Sequence, residues 1–285
     1  MKAWGLALAI AVCLAACQGQ APSVAPTSAV GSTLPPPQVV VMTSTAAPTS
    51  PALASTATLP LGLAVPAAPI SATQAAPDGI ALATTFYPPL QTGAPAGAKA
   101  PAVLLLPMVG QSRADWDPFA RALQLRGFAV LTVDLRGQGE SAGPIDWAKA
   151  PADVQAVWQA LLARPEVDAQ HAAMVGASIG AHLALILGEN NPQVETVIAL
   201  SPGQDYMGIQ PAGRLSSFGQ RGVLFVASQD DAYAYDSVRQ MAPLAPKGET
   251  YYFAKAGHGL AMFSDPALAP MLFSWLQDHL GVLKG

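Results

Sequence analysis

The chain has 285 residues; 51% are hydrophobic, 11% are charged and the net charge is -4. That balance is too apolar for a disordered chain and too interrupted for a multispan membrane protein, and it offers no global positive field for nucleic acid. The two cysteines, Cys13 and Cys17, both sit in the first apolar segment, so the remainder has no disulfide and no thiolate metal site.

Lys2 precedes an apolar stretch, Ala3 to Ala16, that is shorter than the roughly 20 residues needed to span a bilayer. The stretch closes on Leu14-Ala15-Ala16-Cys17, which resembles the bacterial lipobox. The resemblance implies that residues 1–16 are a signal peptide and that cleavage falls before Cys17. It also implies that lipid on the Cys17 sulfur holds an exported protein on a membrane surface. Residues 17–77 follow as an expected tether rich in Ala, Pro, Ser and Thr, with no charged residue between Lys2 and Asp78. Val39 to Met42 is a short strand at most.

Residues 78–285 read as the folded domain. Alternation predicts a strand over Ile80 to Tyr87, and short apolar runs predict strands at Ala102 to Leu106 and Ala129 to Val133. Trp116, Phe119, Ala120 and Leu123 have helical spacing, as do Val154, Val157, Trp158, Leu161 and Leu162 after Pro151. A strand over Ala172 to Val175 precedes Ile179 to Leu187, which is apolar all round and reads as a buried helix. Three further strands are expected at Val194 to Leu200, Gly222 to Ala227 and Glu249 to Phe253. A final helix buries Leu268, Leu272, Trp275, Leu276 and Leu280. Such alternation predicts an α/β, doubly wound, mostly parallel sheet, with functional groups at the carboxyl ends of its strands.

Gly176-Ala177-Ser178-Ile179-Gly180 stands directly between a predicted strand and a predicted helix. This is the setting of a nucleophile elbow, where a tight turn exposes the serine and aims the Ile179 N–H at an oxyanion. A serine hydroxyl needs a base. His258, in Ala256-Gly257-His258-Gly259 after the last strand, is the choice. His171 starts a strand, His182 has a packing role in the buried helix, and His279 faces solvent on the last helix. Asp231, after the strand Gly222 to Ala227, is the expected orienting acid, with Asp230 next and Asp205 weaker.

From about Ile80 to Leu280 these features resemble the α/β-hydrolase superfamily, near its dienelactone-hydrolase-like and peptidase-like esterases. Asp134-Leu135-Arg136-Gly137-Gln138-Gly139-Glu140-Ser141 is similar to the family's D-x-R-G-x-G-x-S turn, and Ser178, Asp231 and His258 match its triad in order. Where the family has His-Gly after the first buried strand, this chain has Pro107-Met108-Val109-Gly110. Pro107 has no N–H, so the resemblance assigns the second oxyanion donor to Val109, with Met108 as the alternative. It implies a serine hydrolase acting on a small-molecule ester through an acyl-enzyme. The alternatives are a peptidase or thioesterase, or a non-catalytic binding protein on the same scaffold.

Gly137-Gln138-Gly139 with Ala142 fits a dinucleotide fingerprint, but Gly143-Pro144 follows where a helix should begin, so a tight turn is preferred. No cofactor and no metal are expected. The segment from Leu200 to Gly222 is too short for a large cap domain, which predicts an open, shallow site lined by Ser201, Tyr206, Phe218 and Tyr233.

Overall fold

The structure is a computed structural model, and it describes residues 65–92, 95 and 97–281. The signal sequence, Cys17 and the Val39 to Met42 segment lie outside the described residues. Eight strands form one sheet: β1 (Ile70–Ala75), β2 (Ala81–Tyr87), β3 (Ala100–Leu106), β4 (Ala129–Val133), β5 (Val167–Ala177), β6 (Thr196–Leu200), β7 (Gly222–Ser228) and β8 (Gly248–Phe253). Their order is β1-β2-β4-β3-β5-β6-β7-β8. The β1–β2 and β2–β4 pairs are antiparallel and the others are parallel. This is the α/β-hydrolase fold expected from the sequence.

Helices cover both faces. They are α1 (Asp117–Gln124), α2 (Ala150–Leu162), α3 (Ile179–Asn190), α4 (Ala232–Met241) and α5 (Leu268–His279). The central strands β4, β6 and β7 are buried at every position, which explains their unbroken apolar runs. Successive side chains serve opposite layers. Leu104, Met174, Val197 and Phe225 join the layer with Val154, Trp158 and Leu185. Val103, Leu105, Val175, Ile198 and Val226 join the layer with Phe119, Leu123, Leu272 and Leu276.

The structure departs from the sequence pattern in two places. Ile70–Ala75, read as the end of the tether, is strand β1. It is an edge strand with almost every residue exposed, so its stability comes from pairing with β2 rather than from an apolar alternation. Helix α4 was not anticipated. Its buried Ala234, Val238 and Met241 do follow helical spacing, but polar residues separate them.

The order β4-β3-β5 reverses direction between β3 and β5. Such a switch point opens a crevice at the carboxyl ends of the strands. The Pro107–Gln111 loop leaves β3 at this crevice, and Ser178 leaves β5 beside it.

Candidate active site

Strand β5 ends at Ala177 and α3 starts at Ile179, leaving Ser178 alone in the turn at φ 53° and ψ -117°. A non-glycine residue in this region costs about 1–3 kcal/mol and needs surroundings that enforce it. The Ser178 N–H donates to the Leu200 carbonyl at 2.8 Å. Both flanking glycines are required. A Cβ on Gly176 would stand 2.1 Å from the Gly180 carbonyl oxygen, and one on Gly180 would stand 2.3 Å from the Leu106 carbonyl oxygen. As the first residue of α3, Ile179 presents an N–H that no helical carbonyl can reach.

Asp231 immediately precedes α4 just beyond β7, and His258 follows β8 between Gly257 (φ 76°) and Gly259 (φ 56°). The structure brings the two together, with His258 Nδ1 2.6 Å from Asp231 Oδ2. Asp230 does different work: it accepts the Ser228 hydroxyl and, at 3.1 Å, the Gly257 N–H. The Ala256 N–H donates to Ser228 Oγ at 2.8 Å and the Gly259 N–H to Ser201 Oγ at 2.9 Å. The histidine loop is therefore pinned on both sides of His258. A Cβ on Gly259 would meet Met108 Sδ at 2.8 Å, so the glycine also lets this loop close on the β3 loop.

In the β3 loop, the Met108 carbonyl accepts the Gln111 N–H at 3.2 Å and Gln138 Oε1 accepts the Gly110 N–H at 2.8 Å. Among the described residues, the Met108 and Val109 N–H groups have no partner. Gln138 belongs to the turn Asp134–Ser141, which is a hub of fixed contacts. Asp134 accepts the Glu140 N–H at 2.8 Å and pairs with the Arg113 guanidinium. Ser141 Oγ donates to the Asp134 carbonyl at 2.7 Å and accepts the Ala83 N–H at 2.8 Å. Arg136 is buried and pairs with Asp153 at 2.6 Å and Asp78 at 2.8 Å. The guanidinium of Arg136 and the ammonium of Lys149 hold the Asp78 carboxyl well below the usual carboxylate range. A Cβ on Gly139 would stand 2.3 Å from Asp134 Oδ2, so these glycines serve a tight turn. No helix starts at Ala142.

The profile of the X-Pro dipeptidyl-peptidase family (S15 family) matches residues 78–259, more than half of the chain. The chain belongs to the S15 family. Structural comparison agrees on the fold. The α/β hydrolase GrgF from Penicillium sp. sh18 superposes with a TM-score of 0.65 at 14% identity, covering 75% of this chain and 100% of that one. The Pyrococcus furiosus esterase Pf2001 gives 0.61 at 16% identity over 75% and 92% of the two chains. A hypothetical protein from Pseudomonas aeruginosa gives 0.64 at 13% identity over 78% and 96%. No curated protein matches the sequence significantly.

In this S15-family chain the segment after β6 is compact. Tyr206 and Ile209 form a β-bridge, and a 3₁₀ helix spans Ala212–Phe218. Of the residues expected to line the site, Tyr206 packs edge-on against the His258 ring with centroids 6.2 Å apart, and Tyr233 packs against Tyr206 at 5.7 Å. Ser201, at φ 48°, is buried and anchors the histidine loop from below. Phe218 lies elsewhere, buried against Gly188 of α3, so its role is packing.

Of the other histidines, His171 pairs with Asp168 at 2.9 Å and is exposed. His279, expected to face solvent, is half-buried, stacks on Trp275 and binds its carbonyl at 2.9 Å. His182 is fully buried as expected, with both ring nitrogens engaged. Burial pushes its pKa down to about 4, so it is neutral. Among the described residues no group of three His, Cys, Asp or Glu side chains could hold a metal, and no helix is long and apolar enough to cross a membrane. The anchoring roles of Ser228, Ser201 and Gln138 were missed from sequence, because single polar residues binding distant backbone leave no periodic signal.

Proposed function

We propose that this S15-family hydrolase cleaves carboxylic esters by an acyl-enzyme route, with Ser178 as nucleophile, His258 as base and Asp231 as the acid that orients it. The observation that carries the reading is the 2.6 Å contact between His258 Nδ1 and Asp231 Oδ2, formed by the loops after β7 and β8 at the same carboxyl edge of the sheet where Ser178 leaves β5. A proton held on Nδ1 by Asp231 leaves Nε2 as the lone-pair nitrogen, the form a general base requires.

In the mechanism, Ser178 Oγ attacks the acyl carbon while His258 takes its proton. The oxyanion receives the Ile179 N–H, aided by the dipole of α3, and the Val109 N–H. Collapse of the tetrahedral species breaks the bond to the leaving group, which leaves with the proton from His258. Water, activated by the same imidazole, then hydrolyses the acyl-enzyme. Ser178→Ala should abolish hydrolysis of short acyl esters and labelling by a fluorophosphonate probe; activity that survives would remove Ser178 from the chemistry.

The S15 match favours a second reading, in which the same residues cleave peptides after an X-Pro pair. Turnover of an X-Pro dipeptidyl amide at a rate comparable with ester turnover would favour it. The lipobox-like Leu14 to Cys17 supports export and lipid anchoring through Cys17, with the hydrolase domain carried on a tether. Loss of labelled-palmitate incorporation in Cys17→Ala would support that reading, and unchanged incorporation would contradict it.

A further inference from the structure

The inner side of the loop Ser201–Gln210, between β6 and the 3₁₀ helix, is held by the buried His182. The Gly203 N–H donates to His182 Nε2 at 2.9 Å. Nε2 is therefore the unprotonated nitrogen, and the Nδ1 proton goes to the Ile209 carbonyl at 2.8 Å. One neutral imidazole thus ties both arms of the loop to α3, one turn beyond Ser178. Its ring also stacks on Tyr206, with centroids 4.6 Å apart and planes 23° apart.

The loop is shaped to receive the tyrosine. A Cβ on Gly203 would stand 2.8 Å from Tyr206 Cζ and 2.5 Å from Tyr233 Cε1. The Tyr233 hydroxyl accepts the Asp205 N–H at 3.0 Å, and Ser237 Oγ accepts the Gln204 N–H at 3.1 Å, which fix the loop's outer side to α4. The Tyr206 hydroxyl donates to the Ser201 carbonyl at a long 3.3 Å. Its ring stands edge-on to His258.

Strand order says which side of the reaction this hydroxyl faces. The oxyanion loop leaves β3, on one side of β5. Tyr206 follows β6 and His258 follows β8, both on the other side. His258 must protonate the leaving group, so the leaving group departs on the side where Tyr206 stands. The Tyr206 bond to the Ser201 carbonyl is long, so a leaving-group oxygen can compete for its proton.

Resting on the acyl-enzyme reading above, we propose that Tyr206 is a further catalytic residue, its hydroxyl donating to the leaving-group oxygen, and that His182 is the positioning residue that sets it. The bond from Ser178 Oγ to the acyl carbon forms and the bond to the leaving oxygen breaks. The serine proton passes through His258 to that oxygen, and Tyr206 keeps its own proton. Burial and the nearby Asp231 charge push the Tyr206 phenol above its ordinary range, which keeps it a donor.

A donor to the leaving oxygen matters most when that oxygen develops much charge. Tyr206→Phe should therefore slow alkyl esters about tenfold or more, the worth of a hydrogen bond to a charged group. It should slow an activated nitrophenyl ester far less, and leave the melting temperature unchanged. His182→Phe should show the same steepened dependence on leaving group, with His182→Gln used if the phenylalanine variant does not fold. The double variant should lose no more selectivity than the worse single one. An equal slowing of all esters by Tyr206→Phe, no slowing, or multiplicative losses in the double variant would overturn the inference. Ser178→Ala separates the two levels: residual hydrolysis there would overturn the acyl-enzyme reading itself, whereas an inactive Ser178→Ala beside an unselective Tyr206→Phe overturns the Tyr206 role alone.

Discussion

His258 Nδ1 and Asp231 Oδ2 stand 2.6 Å apart, while the neighbouring Asp230 turns to the Gly257 N–H instead. The two adjacent carboxylates therefore divide the work: Asp231 holds the ring and Asp230 holds the loop that carries it. Asp231→Asn would offer the wrong partner to Nδ1 and favour the unreactive tautomer. A fall in kcat of about 10³- to 10⁴-fold is expected, with the fold intact by circular dichroism. Asp230→Asn should cost about tenfold or less, because it weakens the contacts to the Ser228 hydroxyl and the Gly257 N–H without touching the His258 ring. Reversed magnitudes for the two variants would assign the acid to Asp230.

Gln138 reaches from the Asp134–Ser141 turn to the Gly110 N–H at 2.8 Å, next to Val109. This contact ties the β3 loop, Pro107–Gln111, to the turn. Gln138→Ala should let the loop relax and misplace the Val109 donor. Full loss of such a donor costs about 3 kcal/mol in the barrier, so partial misplacement should lower kcat by about tenfold while KM stays nearly constant. Steady-state kinetics on one short ester decide it. A change confined to KM would show that the loop serves binding and not the oxyanion.

Much of this arrangement was readable from the chain alone, for definite reasons. The buried strands announce themselves because both faces are covered, and Gly176-Ala177-Ser178-Ile179-Gly180 because only glycines fit against the Leu106 and Gly180 carbonyls. The aspartate and histidine were legible from their places after β7 and β8. Strand β1 was not, since an exposed edge strand carries no apolar pattern and depends on its partner. The His182 anchor was legible only as a buried histidine. Its partners, Gly203 and Ile209, are backbone groups that the sequence does not mark.

The elbow glycines make a stability prediction independent of any substrate. Gly180→Ala places a methyl group 2.3 Å from the Leu106 carbonyl oxygen and 2.6 Å from that of Pro107, both backbone atoms of the central sheet and its loop. Neither can move without opening the β3–β5 pairing. Destabilisation of about 4 kcal/mol or more is expected, at the upper end for a single substitution. Denaturant unfolding monitored by tryptophan fluorescence measures it. A loss below about 1 kcal/mol would mean that the elbow is far more pliable than its contacts indicate.

Glu189 gives the fold a pH dependence of unusual sign. Its side chain is buried at the end of α3, and its Oε2 atom has no partner. Oε1 accepts from Asn190 Nδ2 at 3.3 Å and faces the largely exposed Arg214 at 3.7 Å. Burial outweighs both and pushes the carboxyl up to about 7 from an ordinary 4.5. Between these values the folded chain holds a proton that the unfolded chain has released. Stability from this group is therefore complete below about pH 4.5 and is lost as pH rises through about 7. Glu189→Gln mimics the protonated acid at every pH. Its melting temperature should match the parent protein at pH 4 and exceed it at pH 8, as followed by thermal scans at both values. A parent protein that is the more stable of the two at pH 8 would mean that Arg214 and Asn190 compensate the buried charge fully.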